Sequence, residues 1–216
     1  MSRFPITRRE LLRAAGAASA LIVAGCKATE TAALDGPPRP DGPRVVGGDA
    51  TPAACDDDTA DNILGPYYKE GAPIRDTLVE AADAGVRLAL SGTVTVVGTC
   101  VPVEGATLDI WQADDAAVYD GAGFRFRGKV LTDAAGAWSL RTIIPGHYLN
   151  GDQFRPAHIH VRLTGPGIEE LVTQLYFEGD PYNAIDPFIV PSLIMPVADD
   201  GAGGRVARFD FVMRPA

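Results

Sequence analysis

The sequence predicts an all-β chain, an immunoglobulin-like antiparallel β-sandwich of about seven or more strands with long loops. Two observations predict it. Twenty-four Gly and 17 Pro among 216 residues suit short strands joined by turns better than long helices. Seven stretches rich in apolar and β-branched residues are each bounded by Gly, Pro, Asp or Asn.

In order, the strands are expected at Val86–Val97, Ala106–Gln112, Phe124–Thr132, Ala137–Ile144, His158–Thr164, Leu171–Phe177 and Arg208–Met213. The first alternates most plainly, with Leu88, Leu90 and Val94 two or four residues apart. Ile74–Ala84 reads as either a short helix or a loop crossing. Asp186–Gly204 reads as an irregular insertion broken by prolines.

Three segments organise the chain. Residues 1–25 read as an export signal: Arg8-Arg9 resembles a twin-arginine motif, and an apolar run from Leu11 to Gly25 follows. That run is too short for a membrane span. It ends in Val23-Ala24-Gly25-Cys26, which resembles a lipobox, so Cys26 is expected to carry a lipid. The plainer alternative is signal cleavage without lipid. The domain is then expected at the cell envelope or outside it, touching the membrane only through that anchor. Residues 26–58, rich in Pro and Gly, read as a flexible tether. Residues 59–216 hold the globular domain. A formal charge of −9 excludes nucleic acid as a partner, because phosphate binding needs a basic surface. Cys55 and Cys100 would meet an oxidising compartment; a disulfide and two buried thiols both remain open.

The chemistry begins at His158-Ile159-His160. In a strand, residues i and i+2 share a face, so two imidazoles can reach one metal ion. Alone this spacing is weak, since surface histidines also occur so placed. The setting adds weight: Arg155-Pro156-Ala157 leads into the pair, and Gln174-Leu175-Tyr176-Phe177 precedes Gly179-Asp180-Pro181.

Five blocks resemble the intradiol ring-cleavage dioxygenases, the family of catechol and protocatechuate dioxygenases. They are Gly65-Pro66-Tyr67-Tyr68; Trp111 through Asp114 to Tyr119; Phe126-Arg127-Gly128 with Thr132-Asp133 and Gly136; Thr142 through Pro145-Gly146-His147-Tyr148; and Arg155 to Pro181. Together they cover the chain from about residue 60 onward, in order; no single block would suffice.

The resemblance implies a ferric ion, Fe(3+), held by Tyr119, Tyr148, His158 and His160, with a solvent hydroxide in a fifth position. Tyr119 and His160 would be equatorial, Tyr148 and His158 axial. Phenolate oxygen suits a hard trivalent cation, and imidazole completes the shell. It further implies a small catechol substrate and O2 as partners, with a muconate-type diacid as product. Tyr148 would leave the metal as general base, Arg155 would stabilise the anionic ring, and Gln174 would help orient Arg155 and the substrate. Tyr67 and Tyr68 either line the substrate pocket or pack at the sandwich edge. A homo-oligomer fits the family habit, though no residue specifies one.

Other residues carry plainer expectations. His147 reads as a loop or rim residue, Trp111 and Tyr176 as core aromatics, and Asp133 as a hairpin-turn residue. Two departures from the family stand out. Many members have glycine two residues before the first ligand tyrosine, where this chain has Ala117. The long helical dimerisation segment of the catechol enzymes is missing. A second reading keeps the sandwich as a non-catalytic, surface-tethered binding module, since fold alone does not fix function.

Overall fold

The computed structural model describes residues 55–216. Arg8-Arg9, Cys26 and the tether up to residue 54 lie outside the described residues. The strands are β1 Arg87–Val96, β2 Thr107–Trp111, β3 Arg127–Leu131, β4 Ala137–Ile143, β5 Leu149–Asn150, β6 Gln153–Phe154, β7 His158–Thr164, β8 Leu171–Phe177, β9 Ile194–Met195, β10 Val197–Asp199, β11 Arg205–Arg208 and β12 Phe211–Met213. One sheet runs β10-β11-β1-β12, with β4 also paired to β1; the other runs β3-β2-β7-β8-β9.

Six of the seven expected strands are found within a few residues of their expected ends. The seventh, Arg208–Met213, is divided. β11 and β12 both pair with β1, at Leu88–Ser91 and Val94–Val96, and Phe209 and Asp210 make the step between them. Both pairings are parallel, as is β8 with β9, so the sheets are mainly rather than wholly antiparallel. The stretch Asp186–Gly204 is less irregular than expected. It holds a 3-10 turn at Pro191–Leu193 followed by β9 and β10. Ile74–Ala84 is a loop crossing, not a helix.

Alternation explains the core. Leu88, Leu90 and Val94 of β1 meet Leu108 and Ile110 of β2, and Ile159, Val161 and Leu163 of β7, all essentially inaccessible to solvent. Each such side chain contributes roughly 1.5–3 kcal/mol relative to leaving it exposed. With Ile159, Val161 and Leu163 turned inward, period two sends His158 and His160 to the outer face of the second sheet.

Irregular segments lace both flanks of the sandwich. On one side the 73–78 loop exchanges backbone hydrogen bonds with Lys129 of β3 and Arg141 of β4, at 2.7–3.0 Å. On the other, residues 59–62 form a strap. Thr59 N–H donates to Val212 O and Asn62 N–H to Val172 O, both at 2.8 Å. Exposed strand edges are thereby occupied. The strap is pinned upstream by a Cys55–Cys100 disulfide, with the two Cα atoms 5.5 Å apart. This settles the open question about those cysteines. Asp133 accepts from Ala135 and Ala137 N–H groups at 2.9 Å, the turn role expected of it.

Candidate metal centre

Strand register assembles half of the site. Across β7, His160 stands opposite Trp111 on one side and Gln174 on the other, and His158 stands opposite Tyr176. All five side chains therefore share the outer face. His158 and His160 are 2 % and 1 % exposed, because loops cover them.

His158 has a defined role for each nitrogen. Nδ1 donates to Pro156 O at 2.7 Å, which leaves the Nε2 lone pair facing Tyr119 Oη and Arg155 Nη1, each at 3.4 Å. Burial, and then the charge on Arg155, push its pKa down to about 4. The ring of His160 stacks on Trp111 at 4.8 Å, nearly parallel. A Cβ at Gly65, whose φ is +72°, would stand 3.0 Å from Cε1 of the same ring. Both His160 nitrogens are buried without a hydrogen-bond partner. Burial, with His158 next, holds its pKa well below the ordinary histidine value. Both imidazoles are neutral at pH 7, the form that binds metals.

Loops supply the other half. Tyr119 follows a turn in which Ala117 takes φ +65°, so the backbone angle expected of a glycine is adopted by alanine. Gly146 N–H donates to Asp114 O at 2.9 Å, lacing the Tyr148 loop to the Tyr119 loop. The Tyr119 and Tyr148 rings meet edge-on at 5.8 Å, and each also lies against a histidine ring, Tyr119 near His160 and Tyr148 near His158. Burial, then Tyr148, lifts the pKa of Tyr119 well above the ordinary phenol value. Without a cation it stays a phenol; a bound trivalent ion would reverse that balance.

Arg155 lies between the halves, 4 % exposed. Its Nη1 donates to Tyr148 Oη at 3.4 Å and its Nη2 to Gln174 Oε1 at 3.1 Å. Asp186 holds it by an Nε–Oδ2 contact of 2.7 Å. Burial works against the charge, but the bonds to Asp186 and Tyr148 raise its pKa above the usual arginine value. Gln174 is fixed in turn by donating to Ile63 O at 2.8 Å.

All four expected ligands converge, together with Arg155 and Gln174. Tyr67 joins them, stacked on Tyr119 at 4.3 Å and edge-on to Tyr148 at 6.0 Å. Tyr68 does not. Its hydroxyl donates to Asp109 at 3.2 Å and accepts from Arg162 at 3.0 Å, on the far side of Trp111. It is thus withdrawn from the substrate-binding set and packs at the sandwich edge. His147 is the rim residue expected, contacting Asp180 Oδ2 at 2.7 Å. Asp180 Oδ2 also accepts from Ala157 N–H at 3.0 Å, so one carboxylate ties the Tyr148 loop to the start of β7.

Four residues acquire roles that sequence reasoning missed. Asp186 is the counter-ion of Arg155. Tyr176 is buried, as a core aromatic should be, but its hydroxyl donates to Gln174 at 3.0 Å and accepts from Arg155 at 3.3 Å. Trp111 is the floor under His160. Arg127, 2 % exposed, bonds Asp120 O at 3.0 Å and leaves Nη1 buried and unpartnered. Strand pairing of β2 with β3 and β7 was the signal for Trp111, which sits between Arg127 and His160.

Among the described residues no cluster of three or more His, Cys, Asp or Glu can hold a metal, so a metal here needs the phenols. The donor set fits one. Two neutral imidazoles, one with both nitrogens orphaned in the interior, face two phenols across a few ångströms. Phenolate and imidazole donors together suit a hard or borderline transition-metal ion.

The Dioxygenase family profile matches residues 63–215, nearly all of the described chain. The chain belongs to the intradiol ring-cleavage dioxygenase family. This ring-cleavage dioxygenase is 32% identical over 188 residues to the chlorocatechol 1,2-dioxygenase of Rhodococcus opacus, covering 72% of each chain. A solved dioxygenase domain from a carbohydrate-binding fusion protein of Streptomyces sp. SirexAA-E is 44% identical, with a TM-score of 0.69. That match covers 74% of this chain and 100% of the other. The 3-chlorocatechol 1,2-dioxygenase of Rhodococcus opacus 1CP gives a TM-score of 0.69 at 29% identity, covering 73% of each chain. With the family shown, the binding-module reading is not favoured.

Proposed function

We propose that this dioxygenase carries non-haem ferric iron and opens a catechol-type diol with O2 to a cis,cis-muconate-type diacid. The observation that carries the reading is the meeting of two neutral, buried imidazoles with two phenols, both His160 nitrogens lacking any protein partner. Tyr119, Tyr148, His158 and His160 would hold the ion. When bound, ferric iron supplies Lewis acidity and an electron-accepting partner for a catecholate.

The chain's own groups do the rest. Tyr148 lies beside Arg155, which donates to its Oη; held as a phenolate by the ion, that Oη would accept a proton from an incoming catechol hydroxyl. Arg155, locked by Asp186, presents fixed positive charge to the anionic ring. Gln174 positions Arg155 and is itself held by Ile63 O. Tyr67 forms a wall beside Tyr119. The test is colour and composition. Iron-loaded protein should show a tyrosinate charge-transfer band and consume O2 with catechol. Tyr119→Phe and His160→Ala should each lose the band's intensity and the turnover. Full retention of iron and turnover by either variant would overturn the ligand set.

We also propose export through Arg8-Arg9, lipid attachment at Cys26 and a flexible tether over residues 26–58, on the sequence motifs alone. Replacing Arg8-Arg9 with a lysine pair should abolish export of the metallated form; unchanged export would refute this route.

A further inference from the structure

Among the described residues, six exposed large apolar side chains sit on the loops that carry the metal centre. They are Ile63 and Leu64 on the strap, Val118 beside Tyr119, Leu149 and Phe154 on the β5–β6 hairpin, and Ile185 beside Asp186. Val118, Leu149 and Ile185 are each more than half exposed, at 59%, 57% and 56%. Scattered surface aliphatics need no explanation, but a gathering of them around a polar centre marks a binding surface.

The gathering is connected through the centre. Leu149 and Phe154 face one another across the hairpin, whose two ends are Tyr148 and Arg155, joined by Arg155 N–H donating to Tyr148 O at 2.9 Å. Gln153 Nε2 donates to Ile185 O at 2.7 Å, and the Phe154 ring lies 5.4 Å from Tyr182. On the opposite side Tyr67, itself 41% exposed, follows Ile63 and Leu64 in the chain and stacks on Tyr119 next to Val118. Tyr67 also touches Tyr148 edge-on, so it joins the two sides.

Charge narrows what this rim can receive. The basic side chains around it are committed. Arg155 is buried, tied to Asp186 and turned toward Tyr148 at the diol end of the site, and Arg125 is paired with Asp83 and Asp114 at 2.7 and 2.9 Å. Lys69 donates to the carbonyls of Gly121, Ala122 and Gly123. Arg127 has a free Nη1, but that atom is sealed from solvent. A carboxylate carried on a substrate ring would find no open cation at the mouth, and the −9 chain would repel it on approach.

We infer that the dioxygenase prefers a neutral catechol bearing a bulky apolar substituent, with the diol at the metal centre and the substituent on the rim of Leu149, Phe154, Val118 and Tyr67. This rests on the proposed function, which supplies the position of the diol.

The test is a binding series on the iron-loaded chain without O2, read by calorimetry, followed by turnover with O2. 4-tert-Butylcatechol should bind about tenfold tighter than catechol, the lower end of what one well-placed apolar group contributes. 3,4-Dihydroxybenzoate should bind more weakly than catechol. Leu149→Ser with Phe154→Ser should shrink the 4-tert-butylcatechol-to-catechol affinity ratio toward one; Val118→Ser, on another loop, should shrink it less. Equal affinities for catechol and 4-tert-butylcatechol, or a preference for the carboxylate, would overturn the inference while leaving ring cleavage intact. The expected affinity order without ring opening of any catechol would instead overturn the proposed function and leave the rim standing.

Discussion

His158, His160, Gln174 and Tyr176 stand on neighbouring strands of one sheet, whereas Tyr67, Tyr119 and Tyr148 stand on loops leaning over it. The strand-borne side chains owe their positions to register: once Ile159 and Val161 enter the core, the histidines have no choice of face. The loop-borne tyrosines owe theirs to close backbone contacts and one strained residue. The strand half is sealed and uncharged; the loop half is half-open and reaches solvent. The difference teaches that the imidazoles are fixed by the folding of the domain, while the phenols can be moved by small local changes.

Four perturbations separate the halves. The largest effect is expected at the joint between them. Asp186→Ala would leave the Arg155 guanidinium buried without a counter-ion, at a cost of about 3–5 kcal/mol in urea denaturation. A loss under roughly 1 kcal/mol would mean that the pair behaves as a surface bridge.

Acid should act on the strand half. The folded pKa of His158, about 4, lies below its ordinary 6.5, so the unfolded chain takes up the proton first. Its stabilising contribution is complete above that ordinary value and fades as the pH falls toward the folded one. His158 alone accounts for about 3 kcal/mol over that window, and His160 acts in the same direction. Denaturation of metal-free protein should show the loss, and His158→Gln should lack its share of the slope. A stability profile without such a slope would contradict the buried neutral imidazoles.

Next comes Gly146→Ala. A Cβ there would stand 2.6 Å from Asp115 O and 2.7 Å from Ala117 N, both backbone atoms that cannot swing aside. Destabilisation of about 1–3 kcal/mol is expected from overpacking. The thermal midpoint should fall, and under the proposed ferric site the iron uptake with it as the two tyrosine loops separate; normal values of both would show that these loops tolerate displacement.

The smallest effect has the opposite sign. Ala117→Gly relieves a left-handed backbone that costs roughly 1–2 kcal/mol for an ordinary residue, offset by about 0.5–1 kcal/mol of glycine entropy. A net gain of about 0.5–1 kcal/mol in chemical denaturation follows from those two figures. Destabilisation would mean that the Ala117 methyl packs more usefully than its backbone is strained.

The same contrast explains what could be read from sequence. Strand periodicity alone put His158 and His160 on one face, and six strands declared themselves as apolar and β-branched stretches bounded by turn residues. β9 and β10, two and three residues long, carry too few positions for a period to register; their partners define them. Tyr119, Tyr148, Arg155 and Gln174 were legible only through the blocks around them. Tyr67 and Tyr68 could not be told apart, because outside a strand the direction of each side chain depends on backbone angles such as that of Gly65. Asp186 was invisible for another reason. It lies 31 residues beyond Arg155 in an irregular stretch, and nothing local announces a counter-ion brought by the fold.

The Cys55–Cys100 bridge has a mechanical meaning. The strap runs from Cys55 past Thr59 and Asn62 to Gly65 and Tyr67, so a pull from upstream would otherwise travel straight to the His160 ring. The covalent link diverts that load at Cys55 into the turn at the end of β1, where Gly98 N–H also grips Cys55 O at 2.7 Å. Downstream of the bridge the strap carries no tension. A pull applied at Cys55 is then taken up by the end of β1 without the tug reaching Tyr67.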